Sequence, residues 1–412
     1  MVFEKMKIDY TSYKDVDLKG KKVLMRVDIN SNIDTDKMEI RDSPRIRVLA
    51  SALNKHFKRS AVIILAHQSR PGNDDFTDLD IHAKEIEKYL GRPVKFVKDI
   101  YGEQAIQAIK DLKKGEVLVL NNVRKFEGEM KNYKDFSEAE NTEMVKALFP
   151  VVDYVIVDAF GAAHRAHASI VGWPKMMAGP ITDKELDILK KIMQKPERPM
   201  AMLIGGAKAI DKFKAMKYNF DNEKLDYALC SGLTAILIFE ALGKNMGEPN
   251  HKIIAEDLEA NKEMIMETYE KYMDRIILPE DLIIDDNGNR KTIEIDEAGT
   301  YNTTTGDVGP KTVDKFNEIL MKCKTIVANG PPGIFEKEVF RKSTNEIVGT
   351  MVTATKKNKA FTIIGGGEMG AAASMAGKAD DVSFISTAGG AMLEILSGND
   401  LPMIRALREK KV

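Results

Sequence analysis

Short apolar runs rich in β-branched residues recur along this chain, each followed by a polar or glycine-rich turn and then by a segment of helical period. This alternation is the pattern of βαβ units, in which crossover helices join parallel strands. The runs end differently in the two halves. In the first half they end in basic residues, as in 23–30 (VLMRVDIN), 61–70 (AVIILAHQSR), 117–124 (VLVLNNVR) and 154–167 (YVIVDAFGAAHRAH). In the second they end in glycine, as in 200–208 (MAMLIGGAK), 325–333 (TIVANGPPG), 361–368 (FTIIGGGE) and 382–390 (VSFISTAGG). Open parallel sheets bind ligands outside the carboxyl ends of their strands. One half is therefore arranged for a compact anion, and the other for a phosphate chain approached by backbone.

A chain of 412 residues exceeds one ordinary core and should divide in two. The expected fold is α/β, with two doubly wound, Rossmann-like three-layer domains built on parallel sheets and joined by a connecting helix. Further strands are expected at 94–97, 227–230 and 276–284. Helices are expected at 46–57, 80–90, 104–112 and 137–148 in the first half, and at 208–218, 234–242, 256–273, 311–322, 345–355 and 370–376 in the second. Between the halves, 182–197 (TDKELDILKKIMQKPE) carries Leu186, Leu189 and Met193 at helical spacing ahead of Pro196 and Pro199, which predicts a connecting helix rather than a loose linker.

Lys and Arg number 62 against 63 Asp and Glu, so the net charge of −1 excludes an overall basic field for nucleic acid or an anionic membrane. Any anion site must be local. Two cysteines, Cys230 and Cys323, exclude a disulfide scaffold and a four-cysteine zinc site, and suit a reducing, cytoplasmic setting. No run approaches the roughly 18 apolar residues of a membrane span, and the start lacks a signal-peptide core. Nor does an apolar surface run argue for a dimer, which leaves a monomer as the default and a dimer open.

Of the six histidines, His67, His164 and His167 fall in strand-end loops beside Arg70 and Arg165. Arginine offers a rigid fork of donors that matches phosphate or carboxylate oxygens. Each such residue alone reads more readily as a surface charge or loop cap, but several strands ending this way together point to an anion site. Arg26, Asp28 and Asn30 alternate with Val27 and Ile29, so a strand puts all three on one face and offers Asp28 as the partner that a strand-borne Arg26 needs. Among the glycines, Gly365, Gly366 and Gly367 precede GAAAS, and Gly389 and Gly390 precede 391–396. Backbone N–H groups at a helix start bind anions, and glycine allows close approach. No Walker A motif is present, and 365–370 (GGGEMG), although it has GxGxxG spacing, is not followed by an acidic residue properly spaced after a next strand to hold a ribose, which disfavours a dinucleotide oxidoreductase. Lys208 and Lys212 lie four apart after Gly205 and Gly206, which predicts two ammonium groups on one helix face near a bound phosphate.

Taken in order, RVDIN, RDSPRIR, LAHQSRPG, NNVRKFEGE, DAFGAAHRAHASIVG, GGAKAIDKF, NGPPGIFE, IIGGGE and STAGGAMLE closely resemble phosphoglycerate kinase, from about residue 21 to 402. The resemblance implies an N-terminal phosphoglycerate-binding domain over 1–178, with a tail of about 395–412 folding back onto it, a hinge helix over 179–198 and a nucleotide-binding domain over 199–394. It implies a phosphotransferase with a carboxyl acceptor, moving a phosphoryl group reversibly between 1,3-bisphosphoglycerate and ADP to give 3-phosphoglycerate and ATP, with Mg²⁺. Carried over residue by residue, Asp28, Asn30, Arg45, His67, Arg70, Arg124 and Arg165 bind the acid, with Arg26, His164 and His167 around them. Lys208, Lys212, Asn329, Glu336, Gly365, Gly366, Gly367, Glu368, Gly389 and Gly390 take the nucleotide, and Glu368 the metal.

The chain departs from the usual family pattern at Glu368 and Met369, where Asp-Thr is common, and at Ala388 in STAGGA. These positions leave open a catalytically weak phosphoglycerate- or nucleotide-binding relative. A kinase of another small phosphorylated carboxylate is a third reading, because arginine clusters select oxygens and charge better than carbon skeletons. A carboxylate is already ionised at neutral pH, so the implied transfer needs no general base. It needs two anions brought into line and their charge neutralised, for which Arg45 and Lys212 are the expected catalytic groups. Ligand-driven bending near 182–197 is the expected motion.

Overall fold

The computed structural model describes residues 9–386 and 388–412. The first eight residues of the expected N-terminal domain, and Thr387 in the expected 382–390 run, lie outside the described residues. The chain divides into two compact units, one containing residues up to Ile188 together with Asp400–Val412, the other Leu189–Asn399. The boundary falls inside the helix Pro180–Gln194, and the fold-back onto the first unit starts at Asp400 rather than near 395.

In the first unit six parallel strands form one sheet in the spatial order Val94–Phe96, Val117–Val119, Ala61–Leu65, Lys22–Val27, Tyr154–Asp158 and Met177–Ala178. The chain runs outward from Lys22–Val27 on one side and returns to its other side with Tyr154–Asp158, so the crossover direction reverses there. The central strands are buried on both faces, which explains their near-continuous apolar sequence. The helix Pro44–His56 shows how the covering layer is specified. Proline sits in its first turn, and Ile46, Leu49, Ala50 and Leu53 recur on one buried stripe. The expected helix 137–148 is two, Phe136–Glu140 and Glu143–Leu148, interrupted at Asn141 and Thr142.

The second unit repeats the architecture, with parallel strands in the order Ile276–Ile277, Tyr227–Cys230, Met200–Ile204, Thr325–Asn329, Phe361–Gly365 and Phe384–Ser386. Its reversal lies between Met200–Ile204 and Thr325–Asn329. The single strand expected at 276–284 is wrong. After Ile277 the chain leaves the sheet at Pro279 and starts an antiparallel sheet with Asp281–Asp286 central, flanked by Asn289–Glu294 and Thr305–Val308. Pro279 cannot donate to a ladder, and Asn287-Gly288, both at positive φ, close the two-residue hairpin. The helix expected at 256–273 is longer, Glu248–Tyr272, opening with Pro249 in its first turn. Among the described residues no helix is long and apolar enough to cross a membrane.

Candidate active site

In the first unit the loops after four adjacent strands carry Asp28, Asn30, His67, Arg70, Arg124 and Arg165 to one edge of the sheet, and Arg45 sits in the first turn of the helix Pro44–His56. Arg26, the penultimate residue of Lys22–Val27, is almost fully buried. Its Nε donates to Ser169 Oγ at 2.7 Å, Nη2 lies 3.0 Å from His67 Nδ1, and Nη1 bonds the Val27 carbonyl. The expected Arg26–Asp28 pair is therefore a correction. Asp28 instead accepts from Arg45 Nη1 at 3.2 Å, and the same nitrogen donates to the Asn30 carbonyl at 2.9 Å. The Asn30 side-chain oxygen accepts from Ser69 N at 2.7 Å and ties this loop to the next one.

Arg124 follows the strand Val117–Val119 in a short 3₁₀ turn and donates through Nη1 to the Ser69 carbonyl. Burial, then the charges of Arg165 and Arg26, pull its guanidinium down to about 10. Burial, with Arg70 next, also lowers Arg165. His67 is buried, and burial together with Arg26, Arg124, Arg165 and His167 holds it well below the usual imidazole value. Arg26, Arg70, Arg124 and Arg165 thus share one neighbourhood with His67 and His167, with Asp28 and Glu129 as the opposing charges. Arg124 Nε and His167 Nδ1 are buried without a hydrogen-bond partner. So much crowded positive charge is unfavourable until an anion joins it.

The nucleotide-side residues gather at the carboxyl edge of the second sheet. Lys212 lies in the helix Ala209–Asp221, only 5% exposed, and its Nζ bonds the Gly205 carbonyl. Burial pulls its ammonium down to about 8, against the opposing charge of Glu368. Lys208 precedes that helix in the left-handed region at φ +58° and is exposed, so the two lysines do not share one helix face as expected. A Cβ on Gly206 would stand 3.1 Å from Glu368 Oε2 and 3.4 Å from Lys212 Nζ, so the two side chains converge over that glycine.

Asn329 ends its strand with Nδ2 buried and unpartnered. Gly365 closes the next strand, against the Met392 side chain. Gly366, at φ +97°, and Gly389 pack backbone on backbone, since a Cβ on Gly389 would lie 2.2 Å from Gly366 Cα. Gly367 and Gly389 open the helices Gly367–Met375 and Gly389–Leu396, with Gly390 second in its helix. Met369 and Ala388 are both buried, 0% and 3% exposed.

Beside these loops lies a pocket of about 290 Å³, with Leu233, Ile236, Ile253, Leu282, Val308 and Ile334 among its walls and Gly206, Glu336 and Glu368 also lining it. An apolar slot rimmed by glycine loops suits a base flanked by phosphates. The sequence reasoning missed this slot, because its Leu282 and Val308 walls belong to the antiparallel sheet, whose signals were Pro279 and Asn287-Gly288. It also missed Glu129 and Ser169 beneath the anion cluster.

The phosphoglycerate kinase family model matches residues 13–399. The chain belongs to the phosphoglycerate kinase family. It is 39% identical over 411 residues to the phosphoglycerate kinase of Methanococcus maripaludis, covering 97% of this chain and 98% of the relative, and 37% identical over 402 residues to that of Methanothermus fervidus, covering 96% of each. Among solved structures, phosphoglycerate kinase from Pyrococcus horikoshii OT3 superposes with a TM-score of 0.87 at 34% identity, covering 97% of this chain and 98% of that one. The enzyme from Coxiella burnetii gives 0.80 at 28%, covering 98% and 100%. The two-unit α/β architecture and the phosphoglycerate kinase activity are those of the family, which uses ATP and ADP with Mg²⁺.

Among the described residues no group of three or more His, Cys, Asp or Glu could hold a metal alone. Mg²⁺ commonly binds through one or two carboxylates plus substrate phosphates and water. Glu368, on the rim of the pocket and converging with Lys212 over Gly206, fits such an ion.

Proposed function

We propose that the arginine and histidine cluster of the first unit binds the carboxylate and phosphate of 3-phosphoglycerate or 1,3-bisphosphoglycerate, and that the pocket of the second takes ADP or ATP. The observation that carries this reading is the convergence of Arg26, Arg70, Arg124 and Arg165 with His67 at one sheet edge, with Arg124 Nε still unpartnered. Asp28 and Asn30 hold Arg45 at that edge.

In the direction that consumes ATP, a carboxylate oxygen of the acid takes the terminal phosphoryl group from ATP. The carbon–oxygen framework is unchanged, the new O–P bond forms as the ADP–O–P bond breaks, and no proton must move. Arg45 on the acid side and Lys212 on the nucleotide side neutralise the charge on the transferring oxygens. One such donor is worth about 2.7–4 kcal/mol in other enzymes. Lys208, Asn329 and the amides of Gly365, Gly366, Gly367, Gly389 and Gly390 bind phosphate, and Glu336 faces the ribose. Mg²⁺, when bound at Glu368, adds charge neutralisation on the phosphates. Transfer between the two units calls for a ligand-driven approach of one to the other, with the helix Pro180–Gln194 as hinge, and unchanged scattering with both ligands would exclude it. The enzyme works in the cytoplasm, with a monomer as the default state and a dimer open.

A coupled assay with 3-phosphoglycerate and Mg-ATP tests the reading, with 2-phosphoglycerate as competitor acid. Turnover that survives Arg45→Ala and Lys212→Ala unchanged removes the assigned roles.

A further inference from the structure

Beneath the anion cluster lies a hydrogen-bond chain whose direction is set at every link. Glu129 is fully buried and accepts from Ser169 N at 2.9 Å and from Ser169 Oγ at 2.6 Å. Having given its one proton to Glu129, the Ser169 hydroxyl can only accept from Arg26 Nε, at 2.7 Å. Arg26 has no acceptor atom, so its contact with His67 Nδ1 at 3.0 Å makes that ring nitrogen the acceptor. A neutral imidazole that accepts at Nδ1 carries its proton at Nε2.

We propose that Glu129, Ser169 and Arg26 form a positioning relay that holds His67 as the neutral, Nε2-protonated tautomer, so that the substrate acid meets a fixed hydrogen-bond donor. This rests on His67 belonging to the acid-binding site. The charged and titratable groups facing His67 reinforce the neutral state: Arg26 from the strand Lys22–Val27, Arg124 from the turn Val123–Lys125, and Arg165 and His167 from the loop after Tyr154–Asp158. None of them supplies a carboxylate to draw a proton onto the ring. Orientation comes from the buried Glu129 acting through two intermediates, so the acid site gains a donor whose strength does not change with pH near neutrality.

The test is nitrogen-15 histidine NMR on the full chain. In the unmodified protein at neutral pH, His67 Nδ1 resonates as the bare acceptor and Nε2 as the protonated nitrogen. In Ser169→Ala the relay is cut, His67 samples both tautomers at neutral pH, and KM for 3-phosphoglycerate rises about tenfold, with kcat changing less. Signals of His82, which contacts Gln68 rather than the relay, report that the variant is folded. A His67 that is doubly protonated at neutral pH or carries its proton on Nδ1 in the unmodified protein overturns the proposal, as does a Ser169→Ala chain whose His67 signals are unchanged. Adding 3-phosphoglycerate separates the two readings. A locked tautomer without a ligand shift at His67 overturns the site assignment, and a mobile tautomer with a normal shift overturns the relay alone.

Discussion

Replacing Lys212 by methionine should make the second unit more stable and the enzyme nearly inactive. The ammonium is 5% exposed and pulled down to about 8 from the 10.5 of a free lysine, with burial the first cause. Between those values the unfolded chain binds more protons than the folded one, so stability rises with pH across that interval. Below about pH 8 the whole penalty of burying the charge is present, and above the unfolded value it is gone. A shift of that size corresponds to roughly 3 kcal/mol at about 1.36 kcal/mol per unit. Losing the bond to the Gly205 carbonyl offsets about 1 kcal/mol of the gain.

Lys212→Met should therefore stabilise by about 2 kcal/mol at pH 7, and near pH 10.5, where the charge penalty has almost vanished and only the lost hydrogen bond remains, it should destabilise by up to about 1 kcal/mol. For a unit of this size, each ~1 kcal/mol is worth about 2–4 °C in Tm. The assay is paired thermal melts at the two pH values, with turnover measured by coupled assay. The phosphate chain of a nucleotide should also restore the charge, so ADP binding at about pH 8 to the unmodified protein should take up a fraction of a proton, read as a buffer-dependent heat. A variant that melts lower at neutral pH, or one that keeps full turnover, would refute the claim that a strained buried charge is held there for the reaction.

Arg124→Ala should raise the KM for 3-phosphoglycerate by at least about tenfold. It should also weaken the protection that this acid gives the first unit against heat, measured by melts with and without ligand, and equal protection in both proteins would count against the cluster as the acid site. Asp158, fully buried at the start of the helix Pro180–Gln194, accepts from Thr182 N at 2.7 Å, and burial pushes its carboxyl up to about 7. For an acid with a raised folded value the folded state binds more protons, so stability is lost as pH rises from about 4 to 7. Asp158→Asn should leave stability unchanged near pH 4 and raise it by about 1–2 kcal/mol at pH 8, and denaturant midpoints at the two pH values decide it. Gly389→Ala puts a methyl 2.2 Å from Gly366 Cα, a backbone atom with no freedom to swing aside. Both glycine loops must shift, at about 1–3 kcal/mol, and KM for ATP should rise while KM for 3-phosphoglycerate holds.

The alternation of apolar runs with helical segments made two doubly wound units legible, because a buried parallel strand and an amphipathic helix each leave their own period in the chain. The ends of those runs also marked the basic cluster, since Arg26, His67, Arg70, Arg124 and Arg165 recur where parallel strands point to the carboxyl edge of the sheet, whereas Arg45, in the helix Pro44–His56, came only from the family resemblance. What stayed hidden depends on which side chains meet across the fold. Arg26 looked destined for Asp28 two residues away, yet the structure gives it Ser169 and His67, and gives Asp28 to Arg45. Lys208 and Lys212 looked equivalent at a spacing of four, yet the helix begins between them and leaves one exposed and the other buried. Periodicity and strand-end chemistry are local properties and are written in consecutive residues. Burial and long-range pairing, such as the apolar slot walled by an antiparallel sheet or the relay from Glu129 to His67, exist only once segments tens to more than a hundred residues apart have packed together, and they set the charge state and reach of the groups that act.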